Sequence, residues 1–207
     1  MLKKLTFVLV AILCVFCTSV SAAHADDTHD TIKYGNRYHI ENLYQWTNGG
    51  YLDTKKYCEF GLCVSTSTSS NRDQGSGTWI ITSANGKANG TDVVSGDVVY
   101  LYNGYKNNTG GYLYDNEGSK LLNPAVSTLY SSQEYLIDDY QETIKWKLTN
   151  GGGGPIKEFD SLHIESTQRG LYLDTNGYGC DGNHLCVLFT DEYDRDQEST
   201  IWRFISE

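Results

Sequence analysis

Short apolar runs alternate with polar, turn-forming clusters along most of this 207-residue chain. The runs are rich in Val, Ile, Leu, Tyr and Thr, and clusters of Gly, Asn, Asp and Ser separate them. No window carries a sustained helical period of apolar residues. The 21 glycines and 2 prolines suit tight turns between strands. The pattern therefore predicts an all-β chain of short strands.

The same order of residues occurs three times. Tyr-Leu-Asp-Thr from Tyr51 returns as Tyr-Leu-Tyr-Asp from Tyr112 and as Tyr-Leu-Asp-Thr from Tyr172, at spacings of 61 and 60 residues. The segment 44–51 aligns without gaps onto 105–112. Each copy closes with a glutamine and, five positions later, a tryptophan: Gln74 and Trp79, Gln141 and Trp146, and Gln197 and Trp202. Such recurrence indicates an internal repeat.

Each copy contains four short apolar runs, which gives twelve expected strands in three equal groups. A single four-stranded unit cannot bury its own apolar face, so the three units must close on one another. Closure also removes exposed sheet edges. The sequence therefore predicts a β-trefoil of three four-stranded repeats of about 60 residues with pseudo-three-fold symmetry. A three-sheet β-prism is the alternative.

The first 25 residues are typical of a secretory signal peptide. Lys3 and Lys4 precede an apolar run over 5–16, and the small residues Ala23 and Ala25 follow. The predicted organisation is a signal peptide (1–25), a short N-terminal tail (26–33) and a trefoil domain (34–207), with repeats at about 34–95, 96–156 and 157–207. The expected location is extracellular, or periplasmic in a bacterium.

The chain is acidic, with a formal net charge of −10. Removal of the leader, which carries Lys3 and Lys4 and no acidic residue, lowers this charge to −12. Such a chain is repelled by phosphate backbones, which disfavours nucleic acids and anionic membrane surfaces as partners. No other apolar stretch approaches the roughly 20 residues that cross a bilayer.

Four cysteines follow the leader, and an even number in an exported chain argues for disulfides. They allow three pairings. Their positions between the second and third strands of copies one and three favour Cys58–Cys63 and Cys180–Cys186. Loops this short stabilise by roughly 2 kcal/mol each. Pairing between copies is the alternative.

Over 34–207 the repeat resembles that of the ricin B-type lectins, with some likeness to MIR-type trefoils. Tyr-Leu-Asp-Thr stands where that lectin family has its Cys-Leu-Asp-Val segment, and each Gln and Trp stand where it has Gln-x-Trp. The resemblance implies a sugar site in copies one and three, since Tyr114 replaces the aspartate in copy two. The implied sugar-binding residues are Asp53, Asp73, Gln74, Asp174, Asp196 and Gln197.

Trp46 is a further candidate, because its aligned partner in copy two is Asn107 and the repeat does not explain it. An aromatic side chain in a Gly- and Asn-rich loop suits stacking on a sugar. Trp79, Trp146 and Trp202, in contrast, are expected in the core. Asp53 and Asp174 have an ordinary alternative role as turn formers.

Catalytic chemistry finds no support in the motifs. The chain contains no His-Glu-x-x-His, no Gly-x-Ser-x-Gly and no phosphate-binding glycine loop. The acidic run 191–196 has Arg195 inside it, which favours a solvated loop over a calcium site. We therefore expect no metal, cofactor or enzymatic activity.

The sequence leaves three functional hypotheses. The first is a secreted carbohydrate-binding module that gains strength by using two sites at once. The second is a protein-binding trefoil, such as a protease inhibitor or toxin-complex subunit, that uses the loops 83–95 and 149–160. The third is a structural surface or matrix protein. Asn89-Gly-Thr and Asn107-Asn-Thr form N-glycosylation sequons if the chain passes through a eukaryotic secretory pathway.

Overall fold

The computed structural model describes residues 29–58, 61–116, 126–129, 141–178 and 185–207. Predictions for the signal peptide and for Cys180 lie outside the described residues. Among the described residues, no helix is long and apolar enough to cross a membrane.

The described part of the chain is all-β, with twelve strands and two four-residue helical turns. The strands are β1 (Arg37–Asn42), β2 (Gly50–Tyr57), β3 (Leu62–Ser67), β4 (Thr78–Ser83), β5 (Val98–Asn103), β6 (Gly111–Asp115), β7 (Val126–Leu129), β8 (Trp146–Asn150), β9 (Leu162–Ser166), β10 (Tyr172–Tyr178), β11 (Leu185–Thr190) and β12 (Trp202–Ser206). The turns are α1 (Tyr105–Asn108) and a 3₁₀ turn (Gln141–Ile144).

All twelve strands belong to one antiparallel sheet that closes on itself as a barrel. Its hydrogen-bonded order is β10-β11-β3-β2-β1-β12-β9-β8-β5-β6-β7, and β4 pairs with β1 and β5. Pairings of β10 with β9 and of β3 with β7 complete the closure. The closed sheet leaves its backbone groups paired rather than exposed at an edge.

The predicted β-trefoil of three four-stranded repeats is wrong as a description of this sheet. Three ladders cross the expected boundaries between copies, since β4–β5, β8–β9 and β12–β1 each align five residue pairs. They are nearly as long as the hairpin ladders inside the copies, β2–β3 with six pairs and β10–β11 with five. Within the first copy, β1 and β2 align only two. Four short strands cannot bury their apolar face alone, so the hydrogen bonding continues into the next copy and makes one barrel.

The repeated tryptophans form the centre of the core. All three are fully buried, and each indole Nε1–H donates to the main-chain oxygen of the leucine in the repeated Tyr-Leu segment. The pairs are Trp79 with Leu52 at 2.8 Å, Trp146 with Leu113 at 3.0 Å, and Trp202 with Leu173 at 2.9 Å. The prediction that these tryptophans pack in the core is confirmed.

Three loops meet at one end of the core through a ring of backbone hydrogen bonds. The amide of Ile32 donates to Ile156, that of Ile156 to Val93, and that of Val93 to Ile32, each at 2.9 Å. All three side chains are buried in the main hydrophobic cluster. Ile32, from the segment assigned to a short tail, is thus a core residue.

Buried polar pairs link the copies at the ends of β1 and β5. Thr175 Oγ1 donates to Asn42 Oδ1 at 3.0 Å, and Thr54 Oγ1 donates to Asn103 Oδ1 at 3.2 Å. Each asparagine Nδ2 then donates to a loop carbonyl, that of Ser199 or Ser76. These bonds fix where the loop before β12 or β4 lies against the neighbouring copy.

The junction at the end of β9 uses different residues. Ser166 Oγ donates to Asp115 Oδ2 at 2.6 Å, with Ser166 at the asparagine position and Asp115 at the threonine position. The donor and acceptor roles are exchanged, and the carboxylate takes a charge into the interior. Arg169 Nε compensates by donating to Asp115 Oδ2 at 2.8 Å.

The disulfide Cys58–Cys63 closes the β2–β3 hairpin, with a Cα–Cα distance of 5.1 Å. This confirms one predicted pair and is consistent with an oxidising compartment. Cys186 is also disulfide-bonded.

Candidate functional site

The two aspartates predicted to hold sugars lie beneath the surface. Asp53 and Asp174 are each 1% exposed. Arg72 Nη2 donates to Asp53 Oδ1 at 2.8 Å, and Arg195 Nη2 lies 2.7 Å from Asp174 Oδ2. In both copies the same guanidinium also donates to the carbonyl of the following threonine. The arginines anchor the loop before β4 or β12 onto the hairpin.

Burial raises the pKa of the Asp174 carboxyl, although the Ser199 hydroxyl and the Arg195 charge act in the opposite direction. In copy one, Ser76 Oγ donates to Asp53 Oδ2 at 3.1 Å. These carboxylates are enclosed by protein groups of their own copy. In this conformation, a sugar reaches Asp53 or Asp174 only if the covering arginine moves.

The other predicted residues, Asp73, Gln74, Asp196 and Gln197, are exposed on the same two loops. Gln74 and Gln197 adopt left-handed backbone conformations, with φ of 48° and 44°. Both residues are exposed to solvent. Arg195 also lies 3.5 Å from Asp196. Among the described residues, no group of three or more His, Cys, Asp or Glu side chains could hold a metal ion.

Two exposed turns in aligned positions of copies one and two have the same unusual backbone. Gln45, Trp46 and Thr47 have φ of 47°, 63° and 92°. Lys106, Asn107 and Asn108, inside α1, have φ of 45°, 60° and 66°. Runs of left-handed non-glycine residues are rare, and such conformations cluster at binding sites.

Each left-handed turn contacts a loop from a different copy, and that loop carries Gln74 or Gln197. The amide of Gln45 donates to the Gln197 carbonyl at 3.0 Å, and the amide of Lys106 donates to the Gln74 carbonyl at 2.9 Å. The structure therefore places the turn that carries Trp46 against the loop of copy three that carries Gln197. It does not bring Trp46 to Gln74 of its own copy.

At the Gln74 junction, the turn and the loop enclose an open cleft of about 740 Å³. Apart from two glycines, every residue of its lining has a charged or an amide side chain, and we call it the amide cleft. The charged lining residues are Arg37, Lys106 and Glu207, the amide side chains are Asn71, Gln74, Asn107 and Asn108, and the glycines are Gly75 and Gly104.

Two glycines let the backbones approach closely in the amide cleft. Gly75 has a φ of +83°, and a Cβ there would lie 2.7 Å from the Gly104 carbonyl oxygen. A Cβ on Gly104 would lie 3.1 Å from Arg37 Nη2. Glycine at both positions therefore keeps the two loops close together.

Arg37 and Glu207 brace one side of the amide cleft. Arg37 Nε is paired with Glu207 Oε2, and Arg37 Nη1 donates to Asn108 Oδ1 at 2.9 Å. Thr78 Oγ1 donates to Glu207 Oε1 at 3.0 Å. The hydrogen bond from Arg37 holds the pKa of the Glu207 carboxyl below its usual value. This network orients Asn108 at the cleft.

We expect Glu207→Gln to lower stability at neutral pH but not in acid. A carboxyl whose pKa is lowered by folding stabilises the fold above its ordinary pKa, and this contribution disappears as pH falls through the lowered value. Urea unfolding between pH 7 and pH 3 measures the difference between the native chain and the variant. A difference that stays constant over this range would contradict the assigned role of the Glu207 charge.

Trp46 is 84% exposed, the most exposed large apolar side chain of the described residues. Its amide donates to the Leu43 carbonyl at 2.9 Å, so the turn is fixed by backbone contacts and not by the indole. The indole is therefore available to a ligand beside Gln197.

The two loops named for protease inhibition lie against each other. Val94 forms an isolated bridge with Pro155, and the Ser95 amide donates to the Gly154 carbonyl at 2.8 Å. Their central residues, 85–92 and 151–155, are exposed.

Sequence reasoning missed the arginines that cover the aspartates, although a signal was present. Arg-Asp-Gln precedes the tryptophan only in the copies that have the aspartate, as Arg72 to Gln74 and Arg195 to Gln197. Copy two has Asp139 in place of the arginine and Tyr114 in place of the aspartate. An arginine and an aspartate that occur together in two copies and are both missing from the third are typical of an ion pair.

The amide-cleft residues Lys106 and Asn107 were also missed. The gap-free alignment of 44–51 with 105–112 pairs Asn107 with Trp46 and marks both turns as equivalent. The contribution of Arg37 and Glu207 has no such signal, because they lie 170 positions apart.

No protein-family model matches the sequence, and no curated protein does. Solved structures do match. An SDF2-like protein from Arabidopsis thaliana superimposes with a TM-score of 0.66 at 16% identity, over 85% of this chain and 95% of that one. A designed 3-fold symmetric protein, ThreeFoil, superimposes with a TM-score of 0.51 at 16% identity, over 83% of this chain and 99% of that one.

A third similar structure is the cytolethal distending toxin from Actinobacillus actinomycetemcomitans, with a TM-score of 0.52, 11% identity and coverage of 83% of this chain and 91% of that one. The chain has a trefoil-like fold. At these identities the likeness establishes this fold alone, and the resemblance of the repeat to ricin B-type lectins and MIR-type trefoils is not shown to be a family relationship. Function has to be argued from the site.

Proposed function

We propose that the protein is a secreted, non-catalytic, lectin-like module that binds glycans at junctions between its copies. The trefoil-like fold is compatible with a carbohydrate- or protein-binding module. The observation that carries the proposal is the amide cleft, where Asn71, Gln74, Asn107 and Asn108 line one open space.

Primary amides are suited to sugars because each offers two donors and one acceptor oxygen to neighbouring hydroxyls. Gln74 and Asn107 are exposed, and both have a left-handed backbone. Water already hydrates these groups, so a glycan that replaces the water gains modest affinity at one site. The Trp46 turn beside Gln197 supplies a second junction, where an aromatic face replaces the amides.

Gln74→Ala and Asn107→Ala are each expected to weaken glycan binding about 2- to 10-fold, since a neutral hydrogen bond contributes about 0.5–1.5 kcal/mol. The measurement starts with a glycan array probed with the disulfide-intact protein produced without N-glycosylation, because Asn107 belongs to a sequon. Isothermal titration with the selected glycan then gives the dissociation constants.

Gln197→Ala and Trp46→Ala are the matched variants at the second junction. They should leave binding at the amide cleft unchanged and lower retention on multivalent glycan surfaces, where both junctions act together. The proposal fails if the folded protein retains no glycan on the array. It also fails if the variants of both junctions bind as tightly as the native chain.

A further inference from the structure

We infer that the amide cleft selects acidic sugars, with the Lys106 ammonium contacting the ligand carboxylate and the amides contacting its hydroxyls. This inference rests on the proposed function and deepens it by naming the ligand class. It depends on the positive charge of the cleft, whereas the proposed glycan binding depends on the amide side chains.

The charge of the lining is opposite in sign to that of the protein. Two cations, Arg37 and Lys106, and one carboxylate, Glu207, line the amide cleft of a chain with a net charge of −10. Glu207 is already occupied by Arg37 and by the Thr78 hydroxyl. A ligand in the cleft therefore meets one cation that no carboxylate of the lining neutralises.

That cation is Lys106, whose side chain is exposed. The Lys106 Nζ lies 5.1 Å from the centre of the Tyr105 ring, a cation–π contact that holds the ammonium beside its own turn. A hydrogen bond with Tyr105 raises the pKa of Lys106, so the side chain is cationic at physiological pH. Asp73, on the loop that carries Gln74, is close enough to add a small electrostatic attraction for the Lys106 ammonium, but it is not part of the lining.

The rest of the lining suits a polyhydroxylated ligand better than a bare anion. A phosphate or sulfate would use cations and backbone amides, whereas four side-chain amides also present acceptor oxygens that repel an anion. A carboxylated sugar needs both kinds of partner, because its hydroxyls donate and its carboxylate accepts. Uronic acids and sialic acids are the sugars with this chemistry.

The test compares sugars that differ only in charge. Titrations would use oligogalacturonic acid, oligoglucuronic acid and sialyllactose, each with its methyl ester, against the disulfide-intact, unglycosylated protein. We expect at least one acid to bind about 5- to 10-fold more tightly than its neutral counterpart, the range of a partly exposed charge-assisted hydrogen bond. The preference should shrink between 50 mM and 500 mM salt, where an exposed pair is screened.

Variants of Lys106 assign the preference to a residue. Lys106→Gln should remove the preference for the acid while leaving the affinity for the neutral sugar within about 2-fold, and Lys106→Arg should retain the preference. Lys87→Gln is the matched control, because Lys87 is paired with Asp97 and lies outside the lining.

The outcomes separate the two proposals. Neutral sugars that bind as tightly as their acids would overturn the acidic class and leave glycan binding intact. A preference that survives Lys106→Gln would overturn the role of this residue and with it the inference. If neither the acids nor the neutral sugars bind and the glycan array is also blank, the proposed function itself fails.

Discussion

Arg169→Ala is expected to lower the free energy of unfolding by about 3–5 kcal/mol, the range for removal of one partner from a buried ion pair. Asp115 is 0% exposed and accepts hydrogen bonds from Arg169 and from the Ser166 hydroxyl. Loss of the guanidinium leaves a buried charge with one neutral donor. The Arg169 guanidinium also lies 4.2 Å from the centre of the Phe189 ring, and this contact is lost too.

The equivalent polar pairs at the ends of β1 and β5 suggest a neutral replacement for the buried Asp115 charge. The junctions at Asn42 and Asn103 use a neutral asparagine–threonine pair. Asp115→Thr with Ser166→Asn would recreate this pair at the end of β9. We expect this double variant to be more stable than the sum of its single substitutions predicts, with a coupling of about 0.5–3 kcal/mol.

Urea denaturation of the native chain, the single variants and the double variant gives the required free energies. Arg203→Ala is a comparison at a less enclosed pair, since its partner Glu41 has an 8% exposed side chain. If Arg169→Ala costs less than about 1 kcal/mol, Asp115 is not held as a buried ion, and the physical account of this junction is wrong.

The repeat and the core could be predicted because both depend on local pattern. Tryptophan five positions after a glutamine recurs in each copy, and all three indoles are buried against the repeated leucines. The division into three four-stranded units could not be predicted correctly, because the sequence of a short strand does not determine which other strands it pairs with. Hydrogen bonds between β12 and β1 join residues such as Tyr38 and Ser206, from opposite ends of the chain.

The candidate site was predicted only in part, for a related reason. Gln74 and Gln197 were predicted as binding residues and are exposed. The turns that contact them, which contain Lys106 and Gln45, come from another copy. Asp53 and Asp174 match a sugar-binding pattern and an ion-pair pattern equally well when only one segment is considered. Burial and the covering arginine separate these patterns, and both depend on where the loop before the tryptophan folds back.

The turn that carries Trp46 shows that the internal repeat predicts an equivalent backbone but not an equivalent side chain. Trp46 departs from the repeat and is exposed, whereas the repeated tryptophans are buried. The aligned turns share a left-handed backbone but carry different side chains. The amide cleft and the Trp46 turn therefore have equivalent backbones but different side chains, and they offer a ligand different chemistry.

The two tryptophans of copy one should respond to substitution in opposite ways. Trp79→Ala is expected to cost about 3–5 kcal/mol of stability, because it removes a fully buried indole from the centre of the core. Trp79→Phe should cost about 1–3 kcal/mol, because it also leaves the Leu52 carbonyl without the Nε1 donor at 2.8 Å. Trp46→Ala should change stability by less than about 0.5 kcal/mol, as surface substitutions do.

Urea unfolding followed by far-ultraviolet circular dichroism measures all three variants without relying on the fluorescence of the residues that are changed. Trp146→Phe and Trp202→Phe serve as matched controls, since their indoles make the equivalent bonds at 3.0 and 2.9 Å. If Trp46→Ala destabilises the protein as much as Trp79→Phe, the indole of Trp46 is packed against the protein and is not exposed to solvent. Stability that is unchanged with Trp46 removed, combined with lower retention on multivalent glycans, would place the effect of this side chain in binding alone.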